Sequence, residues 1–310
     1  MISIGPKNQA SGILKNSATI ALGTDIIITK ANSLENISLK FSLLKGIAWL
    51  FCIIHDFRFY RNWTHSSSVI EGIFKSNLRV KKIYISPRNK TIAKKLSKRF
   101  KKVTISRNNQ QLIDKSSWVF LAVTPKVGGK ILKKLSFKKN QKIVSFISTI
   151  DLSQLRNAIG KKIKIVRAIP LPPISIRKGP VPICPPDKQV KNFFNKLGTT
   201  VEIKNEKSSI NFWATSGMMA PFYELLKILS DWLVKRGIKR SEAQKYITSL
   251  FVALSEDAVI NSKKDLKYLV KDSQTPRGLN EQAVKQLRTA GFYRNLEKSL
   301  NGILKRLNKV

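Results

Sequence analysis

Between Ile83 and Pro170 the chain repeats one pattern: an apolar run of strand length, a polar break, then a segment with apolar residues at helical spacing. The apolar runs are IYI (Ile83 to Ile85), VTI, WVFLAVTPK (Trp118 to Lys126), QKIVSFIST and KIKIVRAIP; TIAKKLSKRFK, NNQQLIDKS, VGGKILKKL and LSQLRNAIG separate them. Continuous apolar strands are buried on both faces, and strands joined through helices run parallel, so the pattern predicts an α/β fold with a parallel, doubly wound sheet. Just upstream, SSVIEGIFKSN reads as a helix opened by serines able to cap it.

Beyond Pro170 the texture changes. LPPISIRKGPVPICPPDK (Leu171 to Lys188) is rich in proline, which removes backbone donors, and is expected to form a connection or an edge segment. VKNFFNKLGTTVEI can supply one more helix and strand, and from Asn211 onward the pattern is helical. The apolar stripes on these helices exceed what one small bundle needs, which favours a subunit interface over an intrachain core. Three regions follow: residues 1–54 with no assignable element, 55–170 carrying the sheet, and 171–310 carrying the helices.

Composition narrows the chemistry. Two cysteines far apart, Cys52 and Cys184, form neither a metal cluster nor a disulfide framework, and two histidines leave no material for a histidine triad or a metal site. No apolar run approaches the roughly 18 to 20 residues that cross a bilayer, and IAWLFCII is too short. The N-terminus lacks the order of a secretory signal, so the expected location is cytoplasmic. A net charge of +40 over 310 residues raises a nucleic-acid reading, but the lysines are scattered along almost every segment and no nucleic-acid-binding motif accompanies them. Such a field also attracts an anionic cofactor or substrate.

Nine passages carry a more specific signal by their order: SSVIEGIFKSN, YISPRN, VFLAVTP, IVSFIST, IVRAIPLPP, GPVPI, TSGMMAPFYELL, GIKRSEA and DSQTPRGLNEQ. In that order the chain resembles the pyrroline-5-carboxylate reductase family from about Ser66 to the C-terminus. The resemblance implies a Rossmann-type nucleotide-binding domain followed by an all-α dimerisation domain, a homodimer or higher homo-oligomer, and reduction of a cyclic imino acid to proline. It implies NADPH as cofactor, favoured over NADH because Ser86, Arg88 and Asn89 stand after the second strand, where a serine and an arginine suit a 2′-phosphate. Ala122, Val123, Thr124 and Pro125 match the loop beside the dinucleotide, and Ser148 the loop after the next strand. Ser216 and Asn280 take the catalytic positions, with Gly217, Thr275 and Gly278 on the substrate.

The chain departs from the family's pattern in four places. Met218, Met219 and Ala220 follow Ser216 and Gly217 where the family has serine, glycine and proline; Leu279 and Asn280 replace two threonines; Leu171 replaces asparagine and Thr124 lysine. They cluster on the substrate side, which keeps another imino or keto acid, or an inactive homologue, as alternatives.

The family's first strand ends in Phe-Ile-Gly-x-Gly, whose glycines let backbone approach the pyrophosphate. The matching residues are Phe59, Tyr60, Arg61, Asn62 and Trp63. Read one nucleotide later, Trp63 followed by Thr64 must encode glycine, and the preceding codons can read Phe-Ile-Gly-Thr; His55 with Asp56 can encode the initiating methionine. The expectation is a single-nucleotide frame error between about Trp63 and Ser68, with a genuine N-terminal extension on a diverged enzyme as the alternative.

Overall fold

The structure, a computed structural model, describes residues 65–123 and 131–308. Residues 1–54, the Phe59–Trp63 stretch and the first four residues of the helix expected over VGGKILKKL lie outside them. The first helix, α1 (His65–Lys75), begins one residue before the serines and takes them in, so they do not cap it; the Ser66 hydroxyl is buried without a partner. Helix α1 buries Val69, Ile70 and Ile73 against a 3-10 turn at Pro172–Ile176. Gly72 permits that approach, because a Cβ there would sit 2.4 Å from the Ile174 carbonyl oxygen.

The expected alternation follows: β1 (Ile83–Ile85), α2 (Lys90–Arg99), β2 (Val103–Ile105), α3 (Asn109–Asp114), β3 (Trp118–Leu121), β4 (Lys142–Ser145), α4 (Leu152–Ile159) and β5 (Lys164–Ala168). Strands β1 and β2 pair in parallel, and β3, β4 and β5 form a parallel set. Alternate side chains divide the core between the two faces. Ile83, Ile85, Trp118 and Phe120 join one cluster with Phe193 and Phe194, while Val119 and Leu121 join the other with Leu155 and Ile165, and Tyr84 packs against it.

The proline-rich segment corrects the sequence reading. It holds the 3-10 turn and then β6 (Pro180–Cys184), which lies between β5 and β7 (Thr199–Glu202), antiparallel to the first and parallel to the second. The prolines fit because Gly179 and Ile183 turn their carbonyls to the β7 side, accepting from Thr199 and Ile203, whereas Pro182 turns its carbonyl toward Ile169, where β5 ends. Their missing N–H groups thus fall at the last rung of the β5 ladder and beyond it. With α5 (Lys188–Phe194) between them, β6 and β7 carry the sheet on to Glu202, past the division at residue 170 that the sequence suggested.

Six helices follow: α6 (Glu206–Thr215), α7 (Met219–Val234), α8 (Arg240–Ile260), α9 (Lys267–Asp272), α10 (Leu279–Thr289) and α11 (Phe292–Leu307). Ser230 is the buried residue of α7, and Ala243 and Ile247 are those of α8, so both helices leave most of their apolar side chains in solvent. Trp232 is 52% exposed, Val252 57% and Ile260 80%. None of the described helices is long and apolar enough to cross a membrane.

Candidate active site

Ser86, Arg88 and Asn89 form the loop after β1. Ser86 is buried, its Oγ donating to Asn109 Oδ1 at 2.9 Å and accepting from the Arg88 N–H at 3.4 Å. Asn89 is the N-cap of α2, accepting from the Ile92 N–H at 3.1 Å, so its side chain has a structural duty. Arg88 is exposed. From Ser86 to Asn108 every ionisable side chain is Lys or Arg. Ser106, at the end of β2, is buried beside this loop with an unpartnered hydroxyl, and its N–H donates to Ile85 at 3.0 Å. An acid-free loop with a spare buried hydroxyl fits an anionic ribose end; a carboxylate there would have selected a free 2′-hydroxyl.

Ala122 and Val123 follow β3, half-buried and buried, and Ser148 follows the adjacent parallel strand β4 in an exposed loop. Thr124 and Pro125 lie outside the described residues. The ends of neighbouring parallel strands are where doubly wound sheets take ligands.

Behind Ser148 stands a pair that sequence reasoning missed. Arg167, on β5 and 5% exposed, donates from Nη1 to Glu206 Oε1 at 2.6 Å and from Nη2 to the Ser148 carbonyl at 2.6 Å. The same Glu206 oxygen accepts from the Leu152 N–H at 2.8 Å, at the start of α4. One ion pair therefore fixes the loop from Ser148 to Leu152 between β5 and α6. The signal was a cation inside the apolar strand KIVRA, with Glu206 among only 18 acidic residues. Cys184 pairs with Arg167 across β5 and β6; burial pushes its thiol up, Glu206 adds to that, and Arg167 offsets part of it.

On the helical side, Ser216 closes α6, and its hydroxyl donates back to the Phe212 carbonyl at 3.2 Å. Gly217 lies where a Cβ would meet Ile303 Cδ1 at 2.7 Å, so the turn into α7 packs closely on α11. Thr275 and Gly278 share a tight turn: the Gly278 N–H donates to the Thr275 carbonyl at 2.8 Å, and a Cβ on Gly278 would stand 2.2 Å from Thr275 Oγ1. Asn280 donates from Nδ2 to the Ser273 carbonyl at 2.7 Å, so it ties the turn to the end of α9. Leu279, 84% exposed, offers no donor from its side chain. Gly278 is the N-cap of α10, and helix N-termini present free N–H groups to anions. Ser216 and Asn280 thus belong to two different turns.

Comparisons with known proteins match this architecture in two blocks. Residues 65–150 match the family model described as "NADP oxidoreductase coenzyme F420-dependent", and residues 209–310 match "Pyrroline-5-carboxylate reductase dimerisation". The pyrroline-5-carboxylate reductase of Synechocystis is 28% identical over 202 residues, covering 61% of this chain and 73% of that one. The crystal structure of 1-pyrroline-5-carboxylate reductase from Streptococcus pyogenes superposes with a TM-score of 0.70 at 21% identity, over 85% of this chain and 99% of that one. The Plasmodium falciparum pyrroline carboxylate reductase with NADP bound also gives 0.70, at 19% identity over 84% of this chain and 97% of that one. At these identities the superpositions speak for the fold, and the two matched blocks, in their order, support a divergent member of the pyrroline-5-carboxylate reductase family.

Proposed function

We propose that this chain reduces the C=N bond of pyrroline-5-carboxylate to give proline, with NADPH as reductant. The observation that carries the reading is the order of its two blocks, an NADP-oxidoreductase segment followed by the reductase family's own dimerisation segment. Bound NADPH supplies a hydride to the imine carbon, and a proton on nitrogen completes the amine. The chain's part is to position: Ser86 and Arg88 at the ribose phosphate, Ala122, Val123 and Ser148 along the strand ends, and Thr124 and Pro125 in the stretch between. The basic, acid-free loop after β1 supports NADPH over NADH.

The substrate carboxylate is assigned to the N-terminus of α10, with Thr275 and Gly278 shaping the turn and Ser216 and Gly217 completing the site. Because the Asn280 side chain is engaged with Ser273, backbone N–H groups are the better carboxylate donors, and Asn280 acts by holding their turn. A second copy of the chain is the partner assigned to the exposed apolar faces of α7 and α8. A cytoplasmic location belongs to the same proposal.

One observation favours a second reading. Leu279 stands bare at the α10 N-terminus and Met218 and Met219 follow Gly217, a more apolar setting that suits a bulkier imino or keto acid. Growth of a proline auxotroph on minimal medium carrying the frame-corrected gene tests the choice. Rescue supports pyrroline-5-carboxylate; expression of soluble protein without rescue counts against it.

A further inference from the structure

One guanidinium joins three parts of the fold. Arg167, buried on β5, donates from Nη1 to Glu206, the first residue of α6, and from Nη2 to the Ser148 carbonyl after β4. Its Cζ lies 4.9 Å from the centre of the Trp213 ring. Glu206 and Trp213 are two helical turns apart and so share one face of α6. Arg167 therefore grips α6 at two points along its length while another edge of the guanidinium holds the loop. Trp213 is itself buried in a cluster with Ile169, Cys184 and Ile203, which seats that face of the helix beside the ends of β5, β6 and β7. Both gripped parts lead to the proposed site. Ser148 belongs to the loop assigned to the cofactor, and Ser216 and Gly217, just beyond Trp213, begin the turn assigned to the substrate. From Trp213 to Ser216 a helix rises only about 4.5 Å, so a shift of α6 against β5 passes to that turn almost undiminished.

We propose that Arg167 is a positioning residue for hydride transfer: it fixes the cofactor loop and the substrate turn to one point on β5, and with them the gap the hydride crosses. The inference rests on the reductase reading and adds to it a residue that acts through Ser148 and Trp213. The chemistry explains why an arginine stands there. A planar fork can bond a carboxylate and a carbonyl on separate edges while lying against an indole; a lysine ammonium, one point of charge on a flexible stem, cannot do all three. Transfer is steep in geometry, since a misplacement of about 1 Å can cost on the order of a hundredfold in rate.

The test is single-turnover kinetics: the frame-restored full chain, in excess over NADPH, is mixed with saturating pyrroline-5-carboxylate and followed by NADPH absorbance. Protein that fails to fold lowers the amplitude, whereas a widened gap lowers the rate constant. That split separates positioning from mere stability. Arg167→Lys is expected to keep NADPH binding and to lose about tenfold or more in rate. Glu206→Gln, whose amide oxygen still accepts from Arg167 and Leu152, should stay within about threefold of wild type. Trp213→Leu keeps the ion pair and loosens the second grip; it should lose about threefold or more, and it decides the matter if Arg167→Lys does not fold. A folded Arg167→Lys, or failing that Trp213→Leu, that transfers at the wild-type rate would overturn the inference and leave the reductase reading standing. A loss in Glu206→Gln equal to that in Arg167→Lys would assign the effect to charge and overturn it too. Wild type that binds NADPH yet transfers no hydride would overturn the reductase reading itself, and this inference with it.

Discussion

Removing Glu206 tests how much one ion pair contributes to the loop that carries Ser148. In Glu206→Ala the Arg167 side chain, 6% exposed, keeps its charge and loses its partner. Breaking a buried pair from one side costs about 3–5 kcal/mol. Glu206 itself is 28% exposed, so water reaches its end of the gap and the lower half of that range applies. The Leu152 N–H also loses its acceptor, worth about 1 kcal/mol. Asp151 and Gln154 still form a capping box on α4, so that helix start does not unravel. The sum is about 4–5 kcal/mol, which for a chain of this size lowers Tm by roughly 8–20 °C. Thermal unfolding by circular dichroism, with urea titration as a check, measures it. In Arg167→Met/Glu206→Ala neither charge remains, and the loss should fall clearly short of the two single losses added together. A single-variant shift under about 2 °C, or strictly additive singles, would refute the reasoning.

The buried pair between Lys142 and Asp187, 2.7 Å apart, should set an acid-stability edge. Burial pushes the Asp187 carboxyl up, but its bonds to Lys142 and to the Val190 N–H outweigh this and leave it below the ordinary 3.8. A depressed carboxyl contributes above its unfolded pKa and is lost as pH falls through the folded value, so Asp187→Asn is less stable at neutral pH and the gap to wild type closes under acid, as urea midpoints across pH will report. Gly278→Ala drives a Cβ to 2.2 Å from Thr275 Oγ1 and 2.9 Å from its carbonyl, and should cost about 1–3 kcal/mol and raise KM for the imine. Gly217→Ala meets only the mobile tip of Ile303 and should cost less than about 1 kcal/mol. Trp232→Glu puts a charge on the exposed face of α7; if that face seats a second copy, light scattering should record a shift to monomer corresponding to about 2 kcal/mol or more of lost association.

The parallel sheet was legible because its strands are buried on both faces. WVFL is apolar throughout and KIVS holds its two central apolar residues between Lys142 and Ser145, all of them buried, as in a strand covered on both faces. Strand β6 was illegible for a local reason: prolines normally forbid an interior strand, and only the register that turns Pro180 and Pro182 toward the spent end of β5 makes them harmless. That register is a tertiary fact. The residues proposed for the cofactor follow the strands in order, yet their individual contacts were not legible, since Asn89 proved to be a helix cap and Ser86 a partner of Asn109. The Arg167–Glu206 pair joins residues 39 apart in sequence, and spacing alone gives no reason to connect them.

On the function proposed above this fold reduces an imine with NADPH, and on the expectation from the sequence the stretch Phe59 to Trp63 owes its missing glycines to a shifted reading frame. The most direct measurement is NADPH oxidation on adding pyrroline-5-carboxylate to the protein expressed with that frame restored to Phe-Ile-Gly-x-Gly. The account predicts turnover, with one proline formed per NADPH consumed. A folded, NADPH-binding restored protein that leaves both reactants untouched would contradict it.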